Sequence, residues 1–418
     1  MSNVRSVCLS AFASWIVGSG SGCHSTPPDP VTTPIQHVVV IMQENRSFDH
    51  LFNGFPGAGT VQTGMNRGVA TPLVISPLGN GPDLDHSHTG WWRQWDDGKM
   101  DNFAADSKTV ATAYSYIDPK ESVPYWTLAR QYTLGDRMFQ SNTGPSFVAH
   151  QYMIAGQSAH VSGNPNGVWG CDAAPGTTAP LLGPNGSEGP GVYPCFDYQT
   201  MADLLDAKNI SWRYYAPGQT QDAFFLISAY QAIRHIRFGA DWHQDVISPE
   251  TSILTDIAAG KLAQVTWIVP ALNNSDHPGA PAQGPDWVAT LVNAIGQSQY
   301  WNSTTIFIAW DDWGGFYDHV PPPQTDDMGL GFRVPVLVVG PYAKRGYVSH
   351  TTHEASGFLR YMEEIFNLPS LGTRDTTADD FRDCFDYTQP PTPFTPIPTK
   401  LTPSFFLHQK GSGLPDDD

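Results

Sequence analysis

Five short apolar runs recur along the chain, at 36–42 (QHVVVIM), 210–215, 264–269, 304–310 (TTIFIAW) and 334–339. Each is too short for a helix and rich in β-branched or aromatic residues, which predicts strands buried on both faces. Between them, apolar residues recur at helical spacing over 123–132, 147–155, 200–208, 287–297 and 354–366. Strands alternating with helices predict an α/β fold, a three-layer sandwich around a largely parallel central sheet. The segments 54–118 and 161–194 show neither period and read as irregular insertions over the face of the sheet, where loops carry function. No internal repeat or second domain is visible. One folded body is expected over 34–386, then a Pro/Thr-rich tail over 387–418 that lies extended along the body or is disordered.

The first 23 residues fit an export signal: Arg5, then a mostly apolar stretch over 7–17, then small residues up to Cys23. The apolar stretch is shorter than the ~20 residues a membrane span needs. Cys23 is a candidate for lipidation, although Gly20 stands where a leucine-like residue is usual. An exported protein is therefore expected, in the periplasm, secreted, or lipid-anchored at the cell surface.

Composition narrows the partners. The formal net charge is −18, from 22 basic and 40 acidic residues. A surface of that sign repels polyanions at long range, so no nucleic-acid partner is expected. A small phosphorylated substrate stays compatible, because a bound cation reverses the field locally. Cys171 and Cys195 flank a loop rich in Gly, Pro and Asn. They form either a disulfide that staples it or two separate buried thiols.

In open α/β sheets, ligands bind beyond the carboxyl ends of the strands. The run ending at Met42 is followed by Gln43-Glu44-Asn45-Arg46-Ser47, and the run ending at Trp310 by Asp311-Asp312-Trp313-Gly314-Gly315. Adjacent carboxylates repel unless a cation neutralises them. Glu44, Asn45, Asp311 and Asp312 are therefore candidate ligands of a divalent metal ion. Their all-oxygen donor set favours a hard or borderline ion such as Mg, Ca or Mn. Solvated acidic loop starters are the plainer reading of either pair alone.

Ser146 precedes the helical pattern FVAHQYMIA, where it would cap the helix with its hydroxyl beside a phosphate-favouring terminus. A serine there is ordinarily only a cap, and Thr143 competes for the role of nucleophile. His86, His88, His277, His319, His350 and His353 lie in polar, loop-like settings suited to protonating a leaving alkoxide. Residue chemistry alone does not rank them. Arg46 is expected to pair with Asp49, and Asp318 with His319 to form a structural turn.

The segment HVVVIMQENRSFDHLFNGFPG resembles the ENRSFDH signature of a phosphoesterase family that holds bacterial and plant non-specific phospholipases C and a group of acid phosphatases. AWDDWGGFYDHVPPP is similar to its D-E-x-G-G-x-x-D-H-V-x-P-P block. DHSH followed by DDGKMDNF resembles its H-S pair and G-K-M-D-x-F region. FRVPVLVVGPYAKRGYVSHTTHEASGFLRYMEEIFNL resembles the run that leads to its S-x-L-R-F-I-E. The likeness spans about 36–368 in the family's order.

It implies an alkaline phosphatase-like core and a metal-dependent phosphoric ester hydrolase, of acid phosphatase or phospholipase C type. The implied metal ligands are Glu44, Asn45, Asp311 and Asp312, with Ser146 as nucleophile. His86 and His277 would surround the phosphoryl group, and His350 matches the V-S-H histidine. The spacing from His150 to Gly156 equals that from the family's Arg to its following Gly, which favours Ser146 over Thr143. Departures are equally specific. The family's P-N-R is Val148-Ala149-His150, Asp312 stands for the commoner Glu, and His277 stands where phosphatase members often carry two histidines. The C-terminal extensions of many bacterial phospholipases C have no counterpart. Phosphomonoesters and phospholipids are left equally open as substrates, the latter with peripheral or lipid-anchored membrane association. Other readings are chemistry on another anionic ester with the same core, or an exported binding protein without catalysis.

Overall fold

The computed structural model describes residues 33–104, 110–217 and 228–409; the export-signal reading, with Cys23, lies outside them. One sheet organises the fold. Its strands are β1 (His37–Gln43), β2 (Thr133–Gly135), β3 (Trp212–Tyr215), β4 (Val246–Ile247), β5 (Val265–Ile268), β6 (Thr304–Trp310), β7 (Val336–Val339) and β8 (Tyr347–Ser349). Their order across the sheet is β4-β3-β5-β1-β6-β7-β2-β8. Neighbours pair parallel except at β7, which runs antiparallel to both β6 and β2. The expected α/β fold is present. The three strands that hydrophobic runs did not signal (β2, β4 and β8) are two or three residues long, too short to display a period.

All of β6 and Val38 to Gln43 of β1 are buried. Successive strand residues point to opposite faces, so this unbroken burial means both faces are covered. The helices that concern the site are α1 (Phe48–Phe52), α2 (His88–Trp95), α3 (Val123–Gln131), α4 (Ser146–Ala155), α5 (Gly284–Gly296) and α6 (Ser356–Phe366). α4 packs on α6, and α3 on α5. All ten residues of α4 are buried. α6 begins two residues later than its pattern suggested, because His353 and Glu354 pair instead with Met138 and Phe139.

The first insertion is more ordered than expected. It carries a hairpin (Thr63–Asn66 with Val69–Pro72), a parallel pair (Val74–Ser76 with Ser115–Ile117) and α2. Trp91, Phe103 and Tyr114 from it pack against Trp313, Phe316, Tyr317 and Phe332 in a second core. The second insertion carries the hairpin Ala179–Leu182 with Glu188–Val192, and Cys171 and Cys195 form a disulfide. Beyond residue 387 the chain lies along the body: Trp301 Nε1 donates to Thr392 O, Ile397 N to Asn293 Oδ1, and Phe406 packs on Trp287. It ends, within the described residues, in a short helix, Pro403–His408. Among those residues no helix is long and apolar enough to cross a membrane.

A buried charge network ties α1 to the sheet. Arg333 Nε donates to Asp318 Oδ1 at 3.0 Å and Nη2 to Asp49 Oδ1 at 3.1 Å, with the guanidinium over the Phe48 ring. Its Nη1 donates to the carbonyls of Gly59 and Asp136. Asp49 Oδ2 also accepts from His319 N and lies 2.6 Å from His319 Nδ1. Removing the guanidinium would strand two buried carboxylates. Arg333→Met is expected to cost roughly 3–5 kcal/mol in urea unfolding; a loss under about 1 kcal/mol would mean another group neutralises them.

Candidate active site and metal centre

β1 and β6 pair in parallel register from His37 opposite Thr304 to Gln43 opposite Trp310. The two strands thus end at one level, and the next residues of each, Glu44-Asn45 and Asp311-Asp312, emerge side by side. Backbone bonds continue across the gap: Asp311 N donates to Gln43 O at 3.0 Å and Arg46 N to Asp312 O at 2.9 Å. Asn45 turns the chain in the left-handed region at φ 57°, which Asn adopts more readily than most residues. Its N–H donates to Asp311 Oδ1 at 2.9 Å, and Asp312 N to the same oxygen at 2.7 Å.

Two glycines make this approach possible. A Cβ on Gly314 (φ +60°) would lie 2.3 Å from Asn45 O, and one on Gly315 (φ +74°) 2.5 Å from Leu84 Cβ. Glycine alone lets the loop after β6 touch both β1 and the segment that bears His86.

Ser146 is the first residue of α4, with Pro145 rather than Ser146 in the capping position. Its Oγ donates to Asp312 Oδ2 at 3.3 Å, and Asp312 Oδ1 accepts from Gly314 N at 2.6 Å. The neighbouring Phe147 N–H is committed to Asn164 Oδ1 at 3.0 Å. Thr143, the competing hydroxyl, sits 2.8 Å from His88 Nδ1. His86 Nε2 lies 3.1 Å from Asn45 Nδ2 and 4.0 Å from Asp312 Oδ2. The Nδ1 atoms of His86 and His277 each lie 2.7 Å from a backbone carbonyl, of Leu84 and Pro278 respectively. Such a carbonyl holds the proton on Nδ1 and makes Nε2 the basic nitrogen. His277 follows β5, the other neighbour of β1, and is buried.

The structure does not bring His350 to this cluster. It follows β8 at the edge of the sheet, is solvent-exposed, and its Nδ1 lies 2.8 Å from Asp136 Oδ1. Arg46 does not pair with Asp49. It runs inward to donate to Leu78 O at 2.9 Å and lies over the Phe316 ring, while Asp49 is held by Arg333 and His319.

Sequence reasoning missed His150 as a site residue. It lies one helical turn beyond Ser146 on α4, fully buried, with Nε2 3.6 Å from Glu44 Oε1 and 3.9 Å from Asp311 Oδ2. The three ligand atoms fall within 4.8 Å of one another. The four-residue spacing from Ser146, which puts both on one helix face, was the available signal. The groups that meet at the strand ends thus include an imidazole nitrogen as well as oxygens. Among the described residues no hydrogen-bond donor reaches buried Asp311 Oδ2, which suits a cation beside it. The residues present fit a divalent ion.

The sequence pattern of the Phosphoesterase family matches residues 35–369. The chain belongs to that family. It is 25% identical to phospholipase C B of Mycobacterium tuberculosis over 87% of this chain and 80% of that protein. It is also 25% identical to non-specific phospholipase C1 of Arabidopsis thaliana, over 87% and 73% respectively. Among solved structures it resembles a protein in the alkaline phosphatase superfamily from Vibrio parahaemolyticus, with 9% identity, a TM-score of 0.41, and coverage of 84% of this chain and 72% of that one.

Behind the strand ends of this phosphoesterase lies a buried acid, Asp276. Its Oδ2 accepts from Tyr125 OH at 2.8 Å and Trp310 Nε1 at 2.9 Å. Burial pushes its carboxyl up to about 6, against the pull of Arg46 and of these two donors. A raised acid binds more protons folded than unfolded over that interval, so its contribution to stability falls as pH rises from about 4 to 6. Thermal melts of metal-free protein should show that decline, and Asp276→Asn should flatten it. An unchanged slope in the variant would assign the decline to other groups.

Proposed function

We propose that this chain hydrolyses phosphate esters with a divalent metal ion and Ser146 as nucleophile. The observation that carries the reading is the convergence on one hydroxyl. Ser146 Oγ donates to Asp312 Oδ2 where the paired ends of β1 and β6 also present Glu44, Asn45 and Asp311. Membership of the Phosphoesterase family and likeness to proteins named phospholipase C support ester hydrolysis at phosphorus. A divalent ion held by Glu44, Asn45, Asp311 and Asp312 would lower the pKa of the Ser146 hydroxyl and offset charge on the phosphoryl oxygens.

Asp312 Oδ2 takes the Ser146 proton as Oγ attacks phosphorus in line with the leaving oxygen. The bond to that oxygen breaks, the phosphoryl group passes to Ser146, and the protonated Nε2 of His86 or His277 gives its proton to the leaving group. The same nitrogen then takes a proton from the water that attacks the phosphoserine, and Ser146 Oγ recovers its own proton from Asp312. His350, held by Asp136 at the sheet edge, has no part in these steps. The leader-like residues up to Cys23 support export, and with it access to a phospholipid surface as well as to small monoesters.

Purified protein should cleave p-nitrophenyl phosphate or p-nitrophenylphosphorylcholine, and a chelator should abolish the activity. Cleavage of the monoester alone makes it a phosphatase; cleavage of the choline diester makes it a phospholipase C-type enzyme. Ser146→Ala should lower kcat by roughly 10³-fold or more with an unchanged circular dichroism spectrum. Near-normal turnover in that variant, or chelator-insensitive turnover in the parent, would sink the mechanism.

A further inference from the structure

We propose that His150 is itself a metal ligand, so that the centre at the strand ends of this chain takes a borderline transition ion through nitrogen and oxygen donors. The inference rests on the metal-dependent reading above and adds to it the donor that selects the ion.

The geometry points to coordination. Nε2 stands 3.6 Å from Glu44 Oε1 and 3.9 Å from Asp311 Oδ2. Both spacings exceed an N–H···O hydrogen bond. Donors bonded to one ion at about 2.0–2.2 Å stand roughly 3.4 Å apart at a tetrahedral angle. All three residues are buried, and they come from three separate elements: β1's end, β6's end and α4. Two carboxylates gathered in a dry pocket repel unless a positive charge lies between them. With imidazole in the set, zinc, iron or another later transition ion is favoured over magnesium and calcium, which prefer oxygen alone.

The other two acidic clusters with metal-like spacing are already satisfied. Asp49, Asp318 and His319 enclose the Arg333 guanidinium. The His353 ring beside Asp383 and Cys384 is held by Asp379 on one nitrogen and Ser349 on the other. In the Glu44–His150–Asp311 group a fully buried histidine meets two buried carboxylates.

The test uses the full chain, stripped of metal and loaded with Mn(II). Pulsed electron paramagnetic resonance should show coupling from the ion to a histidine nitrogen, changed by isotope-labelled histidine. The coupling should persist when His86→Gln and His277→Gln are combined, and disappear in His150→Gln. In titration calorimetry, His150→Gln should weaken Zn(II) binding by at least the ~10-fold typical of losing even an outer-shell partner, while Mg(II) binding changes far less. Mn(II) bound without nitrogen coupling, or coupling lost in the His86/His277 double variant, overturns the role of His150 and leaves metal-dependent hydrolysis standing. Failure to bind Mn(II) or Zn(II) at all overturns both. Should His150→Gln not fold, the labelled parent and the double variant still decide the question.

Discussion

The in-register parallel pairing of β1 with β6 is the constraint on which the site depends. Because the two strands stop at the same level, Glu44 adjoins Asp311 and Asn45 adjoins Asp312, whatever the surrounding loops do. That arrangement concentrates negative charge in a buried place, which costs stability unless it is compensated. The rest of the local structure serves the arrangement. Gly314 and Gly315 let the loop after β6 press against Asn45 and Leu84. The aromatic core of the first insertion grips that loop through Trp313, Phe316 and Tyr317, and so holds His86 beside Asn45.

Two buried acidic groups lie close together in the chain and have opposite characters. Asp49 and Asp318 enclose the guanidinium of Arg333, so that network is neutralised from within and acts as a structural clamp on α1. The strand-end group contains Glu44, Asp311 and Asp312, with amide, hydroxyl and imidazole groups beside them. The buried arginine next along the chain, Arg46, donates to Leu78 O and interacts with Asp276. The internal guanidinium marks the first group as a holder of the fold; the second is the one proposed to hold an ion.

The helix that carries Ser146 brings chemistry from outside the sheet. It is buried along its whole length, so it cannot slide or fray without exposing apolar surface, and its first turn is fixed further by Asn164 on the Phe147 N–H. Ser146 and His150, one turn apart, therefore face the two strand ends as a unit: the hydroxyl meets Asp312, and the imidazole meets Glu44 and Asp311. For the nucleophile proposed above, this placement needs no rearrangement before an ester arrives, which is the form of preorganisation that favours attack.

The sequence by itself determined the two central strands, the carboxylates that follow them and the helix after Pro145, because hydrophobic period and motif are local properties of a chain. It also showed the family, through ENRSFDH and the Asp-Asp-x-Gly-Gly block. It could not show β2, β4 and β8, whose two or three residues are strands only because a neighbouring strand offers hydrogen bonds. Nor could it choose between disulfide and thiols at Cys171 and Cys195, which depends on how the loop between them folds. Six histidines looked alike in their polar settings, and only the family likeness singled out His86, His277 and His350 among them. Tertiary structure put His86 at the strand ends and His350 on the exposed edge, and it brought in His150, which lay inside an apolar helix and gave no polar signal. Distance in space, not pattern along the chain, decides which groups share an ion, and that distance is set only when the sheet and its covering helices pack.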